Sequence, residues 1–160
     1  MLTVSCGLAS ALYAADISTP QLEGRWTSKA GTSLTFYADH TFTSKRAAIM
    51  PDAAACDDPA DLRSGRWAFF AQTGSSGVEA PDESATHGTA MELSFSATTD
   101  CTVSVYLFGD DEHPAMCPTE DADAGCPSSS YLNRAISSGE RTGAAGSAER
   151  AQRPAEERVT

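Results

Sequence analysis

The feature that most constrains the fold is a side-chain period of two in the central part of the chain. Large apolar residues alternate with polar ones in residues 33–38 and again in residues 91–97. This alternation is typical of a half-buried β-strand, in which successive side chains point to opposite faces of the sheet. Turn residues and a second alternating stretch follow each of them, so residues 33–45 and 90–108 are predicted to form β-hairpins.

Shorter stretches predict additional strands at residues 24–29, 66–71 and 130–134, while residues 74–88 are predicted to be a long polar loop. The predicted fold is therefore all-β, a small antiparallel meander of about seven strands, either closed into a barrel or folded as a sandwich. Most large aromatic residues are expected in the core: Trp26, Phe36, Phe42, Trp67, Phe69, Phe95 and Phe108. Three others fall out of phase with the buried rows and are candidates for a surface patch: Tyr37, Phe70 and Tyr106.

Composition divides the chain into three parts. Residues 1–20 are an apolar leader with a short spacer, and residues 21–136 hold the β-domain. Residues 137–160 contain no aromatic residue and are dominated by Gly, Ser, Ala, Glu and Arg. Because such a segment cannot bury enough apolar surface to offset its ordering entropy, this C-terminal tail is predicted to be disordered.

The chain carries a formal net charge of −11, and all of it falls in residues 1–136. An acidic chain lacks the cations that neutralise phosphates, so no nucleic-acid partner is predicted. An anionic membrane surface would also repel it, which leaves an N-terminal lipid anchor as the predicted route to a membrane. The sequence does not decide between a small ligand, a cation and a protein as the binding partner. The domain is expected to be a monomer.

Cys6 stands apart from the other four cysteines. The run Val4-Ser5-Cys6-Gly7 resembles the end of a bacterial lipoprotein signal, in which the cysteine is lipidated and becomes the mature N-terminus. Only five residues precede Cys6 and none is basic, so we expect the signal peptide to continue upstream of Met1. The alternative is a short apolar helix with a buried thiol. A transmembrane helix is not predicted, because the uncharged run ends at Asp16 and cannot span about 20 residues of bilayer core.

Outside the cytoplasm Cys56, Cys101, Cys117 and Cys126 would be oxidised. Four cysteines allow three connectivities, of which we favour Cys56–Cys101 and Cys117–Cys126. These bridges close loops of 46 and ten residues. In the chain-entropy model they are worth about 4 and roughly 2.7 kcal/mol, which matters in a domain this small. The protein is thus predicted to be extracytoplasmic, either a cell-surface lipoprotein or secreted.

The acidic residues between positions 110 and 123 form the most distinctive candidate site. No Lys or Arg stands among them: Asp110, Asp111, Glu112, Glu120, Asp121 and Asp123. The D-x-D-x-G spacing of residues 121–125 could present oxygen ligands to Ca²⁺, although the complete EF-hand pattern is absent. The alternative is a solvated acidic loop. A zinc site of His113 with Cys101, Cys117 and Cys126 is disfavoured, because disulfide formation would consume the thiols.

The sequence contains no recognisable catalytic or cofactor motif. The chain is therefore predicted to be a non-enzymatic binding or envelope protein with no cofactor other than the candidate Ca²⁺. The alternative is a secreted hydrolase that uses carboxylates in residues 79–83 or 110–123.

Two family resemblances bear on fold and location. Gly24 and Trp26, followed by a hairpin, resemble the opening of lipocalin-like barrels, which implies a barrel with the tryptophan closing one end. A longer resemblance covers roughly residues 1–136. The segments GRWTSKAGTSLTFYADHTFTSK, DLRSGRWAFF and ELSFSATTDCTVSVYLFGDDEHPAMCPTEDADAGC are similar to a group of small actinobacterial lipoproteins and secreted proteins. That resemblance implies a location and a fold class and no particular activity.

Overall fold

The computed structural model describes residues 13–50, 53, 56, 62–96, 101–110 and 112–136. Four features of the sequence analysis lie outside the described residues: Cys6, the turn at 97–100, Asp111 and the tail at 137–160.

Within the described ranges the secondary structure is almost entirely β. One four-residue helix, α1 (Thr19–Leu22), precedes the main sheet, and 3-10 turns occupy Ala47–Ile49 and Gly74–Ser76. The strands follow in chain order: β1 Ile17–Ser18, β2 Gly24–Ser28, β3 Ser33–Phe36, β4 Thr41–Lys45, β5 Ser64–Thr73, β6 Val78–Asp82, β7 His87–Gly88, β8 Ala90–Phe95, β9 Thr102–Phe108, β10 Ala115–Pro118 and β11 Leu132–Arg134.

Eight of these strands close into an antiparallel barrel. The order around the barrel is β2-β3-β4-β5-β8-β9-β10-β11, with β4 paired to β5 and β11 returning to β2. Barrel strands that are adjacent in space thus follow one another along the chain, which is the up-and-down arrangement. At the seam Leu132 stands opposite Ser28, and Arg134 stands opposite Trp26. The predicted all-β fold is confirmed, and of its two alternatives the barrel is the one that forms.

The barrel has one strand more than the seven predicted, and the additional strand is β10. Its four residues lie between Pro114 and an acidic loop, and they end in Pro118. Proline lacks the amide hydrogen of a β-ladder and argues against a strand. The strand nevertheless completes the barrel, because it pairs with both β9 and β11. Its residues Met116 and Cys117 are fully buried.

The prediction of a long polar loop at residues 74–88 is wrong, because this region contains two strands. β6 pairs with the second half of β5 outside the barrel, and it places Pro81 opposite Phe70. β7 pairs with β1. β6 is an edge strand, where proline is tolerated, and none of its side chains is fully buried. No inward row of apolar residues therefore marks it in the sequence.

Aromatic side chains fill the barrel interior. Six of the seven aromatic residues predicted for the core belong to it, whereas Phe108 is buried outside the core cluster and packs against Tyr131. Trp67 meets Phe36 and Phe69 edge to face, with ring centroids 6.2 and 5.3 Å apart. Phe42 meets Phe95 in the same way at 5.2 Å. An eight-stranded barrel has an interior just wide enough for side chains, so these rings occupy the space that an interior ligand would need.

One end of the barrel is crossed by residues 13–22, which we call the strap. The amides of Ala15 and Thr19 donate to the carbonyls of Leu107 and Thr86, both at 2.9 Å. The pairing of β1 with β7 adds a short antiparallel ladder. These bonds attach the strap to β9 and to the segment that leads into β8. The strap is therefore part of the folded domain, although composition assigns most of its residues to the leader and spacer.

Trp26 lies where β2 meets the strap. It is fully buried, and its indole N–H donates to the carbonyl of Leu22 at 2.8 Å. Leu22 and Ile17 of the strap are also fully buried. Gly24 has a φ of 111°, and a Cβ there would stand 3.2 Å from the guanidinium of Arg134. Glycine is favoured at position 24 because residues with a side chain rarely adopt this positive φ.

The opposite end, which we call the stapled end, carries the Cys56–Cys101 disulfide, whereas the second disulfide starts at Cys117 of β10, which stands opposite Tyr106 of β9. Cys56–Cys101 and Cys117–Cys126 have Cα–Cα distances of 5.2 and 5.6 Å. The first joins the loop after β4 to the residue before β9, and the second joins β10 to the loop that follows it. Both predicted bridges are confirmed.

Gly65 lies where three strands meet, opposite Phe42 of β4 and Phe95 of β8. A Cβ at Gly65 would stand 2.0 Å from the carbonyl oxygen of Ser94 and 2.9 Å from the Cα of Phe95. Because backbone atoms cannot yield like a side chain, we expect Gly65→Ala to destabilise the barrel by about 3 kcal/mol, as overpacking does. Urea unfolding measures the effect.

The matched control is Ser64→Ala, at the exposed neighbouring position. We expect it to change the free energy of unfolding by less than about 0.5 kcal/mol. Equal stability of the Gly65→Ala and Ser64→Ala variants would contradict the assignment of Gly65 to the closure of the barrel.

Candidate functional site

The barrel separates the acidic residues of the predicted calcium site. Asp110 follows β9 at the strap end, whereas Glu120, Asp121 and Asp123 follow β10 at the stapled end. The four residues of β10 between the two groups span about 13 Å. The structure therefore does not bring Asp110 together with Asp121 and Asp123.

Two of these carboxylates organise their own turns. Oδ1 of Asp110 accepts hydrogen bonds from the amides of Glu112 and His113. Oδ1 of Asp121 accepts from the amides of Asp123 and Ala124 in the same way. The hydrogen bond from the His113 amide lowers the pKa of Asp110. Both are local side-chain caps of the kind that Asp makes in turns.

No described group of three or more His, Cys, Asp or Glu side chains is arranged to hold a metal ion. The three cysteines of the disfavoured zinc site, Cys101, Cys117 and Cys126, are all engaged in disulfides. Calcium binding by the turn at residues 121–125 stays a prediction.

Two carboxylates of the 79–83 region, those of Asp82 and Glu83, are engaged with neighbouring side chains, whereas Glu79 is exposed. Asp82 accepts from the hydroxyl of Ser84 at 2.6 Å, which lowers the pKa of Asp82. Glu83 accepts two hydrogen bonds from the guanidinium of Arg66, at 2.7 and 2.9 Å, and these lower the pKa of Glu83. Both groups are thus held in the ionised form. Hydrolysis of a glycosidic bond by two carboxylates needs one whose pKa is raised, so that it can donate a proton.

His40 and His113 both have a structural setting. His40 adopts a φ of 63° in the β3–β4 turn, and its ring stacks on Trp67 with centroids 4.4 Å apart. His113 lies beside the carboxylate of Asp110, with Nδ1 and Oδ1 3.3 Å apart. The His40 imidazole is therefore held against β5, and the His113 imidazole is held within its own turn.

His87 forms a pair with Asp16 at the strap end. Its Nδ1 lies 3.0 and 3.2 Å from the two carboxylate oxygens of Asp16. The pair joins β7 to the strap, immediately beside the β1–β7 ladder. More than half of each side chain is exposed, 67% for His87 and 55% for Asp16. Solvent and solutes can therefore reach both groups.

The Asp16–His87 pair lines an open cleft of about 400 Å³, which we call the strap cleft. The cleft is bounded by the strap, the second half of β5 and the segment between β6 and β8. Its lining combines one aromatic ring with polar groups: Phe70, Asp16, Ser84, Thr86, His87 and Thr89. A mixture of apolar surface with a few convergent polar groups is typical of small-molecule sites.

Sequence reasoning did not find the strap cleft. Asp16 and His87 are separated by 71 positions, and composition assigned the first to the leader and the second to a polar loop. Phe70 was singled out as an aromatic residue out of phase with the core, and it is half-buried in the cleft wall. Of the other two surface candidates, Tyr37 is exposed and Tyr106 is half-buried. The phase of Phe70 was thus the one signal in the sequence that pointed to this site.

Comparison of the chain with protein-family models, with curated proteins and with solved structures gives no match. Across the described residues there is no helix with the length and apolar character needed to cross a membrane.

Proposed function

We propose that this protein is an extracytoplasmic binding domain, tethered to a membrane through a lipid on Cys6, and that it is not an enzyme. The observation that carries the proposal is the contrast between the barrel interior, which aromatic rings occupy, and the open strap cleft at its rim. A ligand would therefore be held at the rim. This differs from those eight-stranded barrels whose interior is free to hold one small ligand.

The disulfides support an extracytoplasmic location. Bridges between four cysteines persist in oxidising compartments and are rare where glutathione keeps thiols reduced. Cys56–Cys101 joins two loops at the stapled end, and Cys117–Cys126 joins β10 to the loop that follows it. They have a structural role, since they close loops in a domain whose described residues include no helical layer to brace it.

The proposal that the protein is not an enzyme is supported by three of the carboxylates predicted for catalysis. Asp82, Glu83 and Asp110 all have a lowered pKa because they accept hydrogen bonds. None of the three is poised to donate a proton near neutral pH. A secreted hydrolase that uses residues 79–83 or 110–123 is the alternative proposal, and the geometry supports it less.

The tether would place the strap cleft close to the membrane. Cys6 lies seven positions before Tyr13, where the strap begins. A fully extended chain of that length reaches about 25 Å. Such a tether would keep the strap end near the bilayer surface, where the cleft would meet molecules of the envelope.

Mass spectrometry of the protein purified from its own cells tests the location. We expect a mature N-terminus at Cys6 with a diacylglyceryl adduct, and recovery of the protein in the membrane fraction. A chromosomal Cys6→Ser variant should move to the soluble fraction with its fold intact. Free thiols at positions 56, 101, 117 and 126, or an unmodified Cys6 in membrane-bound protein, would contradict the proposal.

A further inference from the structure

We infer that the strap cleft binds a neutral saccharide, with the ring of Phe70 as the platform and the Asp16–His87 pair as the hydrogen-bonding group. This inference rests on the proposed binding role and names its ligand class. The volume of the cleft, about 400 Å³, lies within the range of 300–1,000 Å³ typical of small-ligand sites. It is therefore large enough for one or two sugar rings.

The polar groups of the cleft match the hydroxyl groups of a sugar. Asp16 offers two carboxylate oxygens, each of which can accept from a hydroxyl. When Nδ1 of His87 donates to Asp16, Nε2 of His87 accepts a hydrogen bond in the neutral ring and donates one in the protonated ring. A hydroxyl group both donates and accepts, so it fits either state.

Additional hydroxyl groups line the same cleft. The side chains of Thr86 and Thr89 make no hydrogen bond to any residue in the described part of the chain, although both backbones are bonded. Their hydroxyl groups can each donate and accept. Ser84 differs, because its hydroxyl donates to Asp82 and only its lone pairs remain for a ligand.

Phe70 supplies the apolar part of the site. It lies in the part of β5 that extends beyond the barrel, where it is half-buried instead of packed in the core. One face of a pyranose ring presents C–H groups, and these pack against the negative face of an aromatic ring. The combination of one ring with several hydroxyl-binding groups thus favours a sugar over a purely apolar ligand.

The negative charge of the cleft and of the whole protein disfavours an anionic ligand. The six lining residues that we name include no Lys or Arg, and Asp16 contributes a carboxylate. The protein as a whole carries a net charge of −11. An anionic ligand would meet repulsion from both. A cationic amine could use Phe70 and Asp16, but it would leave the hydroxyl groups of Thr86 and Thr89 unused.

NMR titration of the ¹⁵N-labelled protein tests the inference. The probes are methyl glucoside, methyl galactoside and N-acetylglucosamine, with choline chloride as the cationic comparison. We expect at least one sugar to bind with a Kd of about 1 mM. The amide shifts should be confined to the strap, the second half of β5 and residues 84–89, and saturation transfer should reach the C–H protons of the sugar.

Two variants and a matched control accompany the titration. Phe70→Ala and Asp16→Asn should each weaken sugar binding at least tenfold. Tyr37→Ala removes an exposed aromatic ring outside the cleft, and it should change the affinity less than twofold. Thermal unfolding of each variant verifies that the barrel is intact.

Three outcomes would overturn the inference: no sugar binds at tens of millimolar, shifts persist in Phe70→Ala, or choline binds in place of the sugars. The last outcome would leave a binding role for the cleft and remove only the ligand class. An unmodified Cys6 would remove the tether of the proposed function without touching the sugar titration, so the two failures can be told apart.

Discussion

Trp26→Ala is expected to lower the free energy of unfolding by about 5 kcal/mol, the largest effect of any substitution considered for this protein. Loss of a fully buried indole costs about 3–5 kcal/mol through lost transfer energy and a cavity. The carbonyl of Leu22 loses its donor as well, and an unpaired buried acceptor costs an additional ~1–3 kcal/mol. Since small domains are stable by 5–15 kcal/mol, the variant should be close to unfolding at 37 °C. Urea unfolding measures the change.

Trp67→Ala is the matched comparison, because Trp67 is also buried and its indole N–H donates to the carbonyl of Tyr37 at 3.2 Å. Its global cost should be similar. The two variants should differ locally in hydrogen exchange: Trp26→Ala should release the amides of Ala15 and Thr19, which bond the strap to the barrel, and Trp67→Ala should not. Equal protection of both amides in the two variants would show that Trp26 does not hold the strap.

Replacement of Cys56 and Cys101 by alanine is expected to destabilise the protein by about 4 kcal/mol in the chain-entropy model. The bridge spans 45 positions and joins two loops of the stapled end, so its removal returns the freedom of a long loop to the unfolded chain. Alanine is chosen because both cysteines are buried, where the hydroxyl of serine would need a new partner. Urea unfolding under oxidising conditions measures the loss.

The Cys117–Cys126 pair provides the comparison within the same domain. Its bridge spans 9 positions, and its removal should cost roughly 2.7 kcal/mol on the same model. The loss should therefore be smaller than for Cys56–Cys101. The reverse order would mean that the bridges act mainly through the folded state, for example through the packing of the fully buried Cys117.

Features that depend on residues close together in the sequence were predicted correctly, and features that depend on distant residues were not. The β3–β4 and β8–β9 hairpins were predicted because alternation and turn residues lie within a few positions of each other. β10 and β6 were not predicted, because each contains a proline and lacks a sustained alternation of apolar and polar residues. Both strands form because they pair with neighbouring strands of the sheet. The same reasoning applies to the site: the phase of Phe70 was visible in the sequence, and its proximity to Asp16 and His87 was not.

The sequence by itself determined the all-β class, the two hairpins and the buried aromatic rows, each of which depends on local periodicity. It left three disulfide connectivities open, and the structure has the favoured one. Tertiary structure decided that the sheet closes into a barrel, that the strap crosses one end, and that an open cleft forms beneath it. These depend on contacts between distant positions, such as Ser28 with Leu132 and Asp16 with His87. Such contacts arise only when the whole barrel has assembled, because no local pattern specifies which distant strand will become a neighbour.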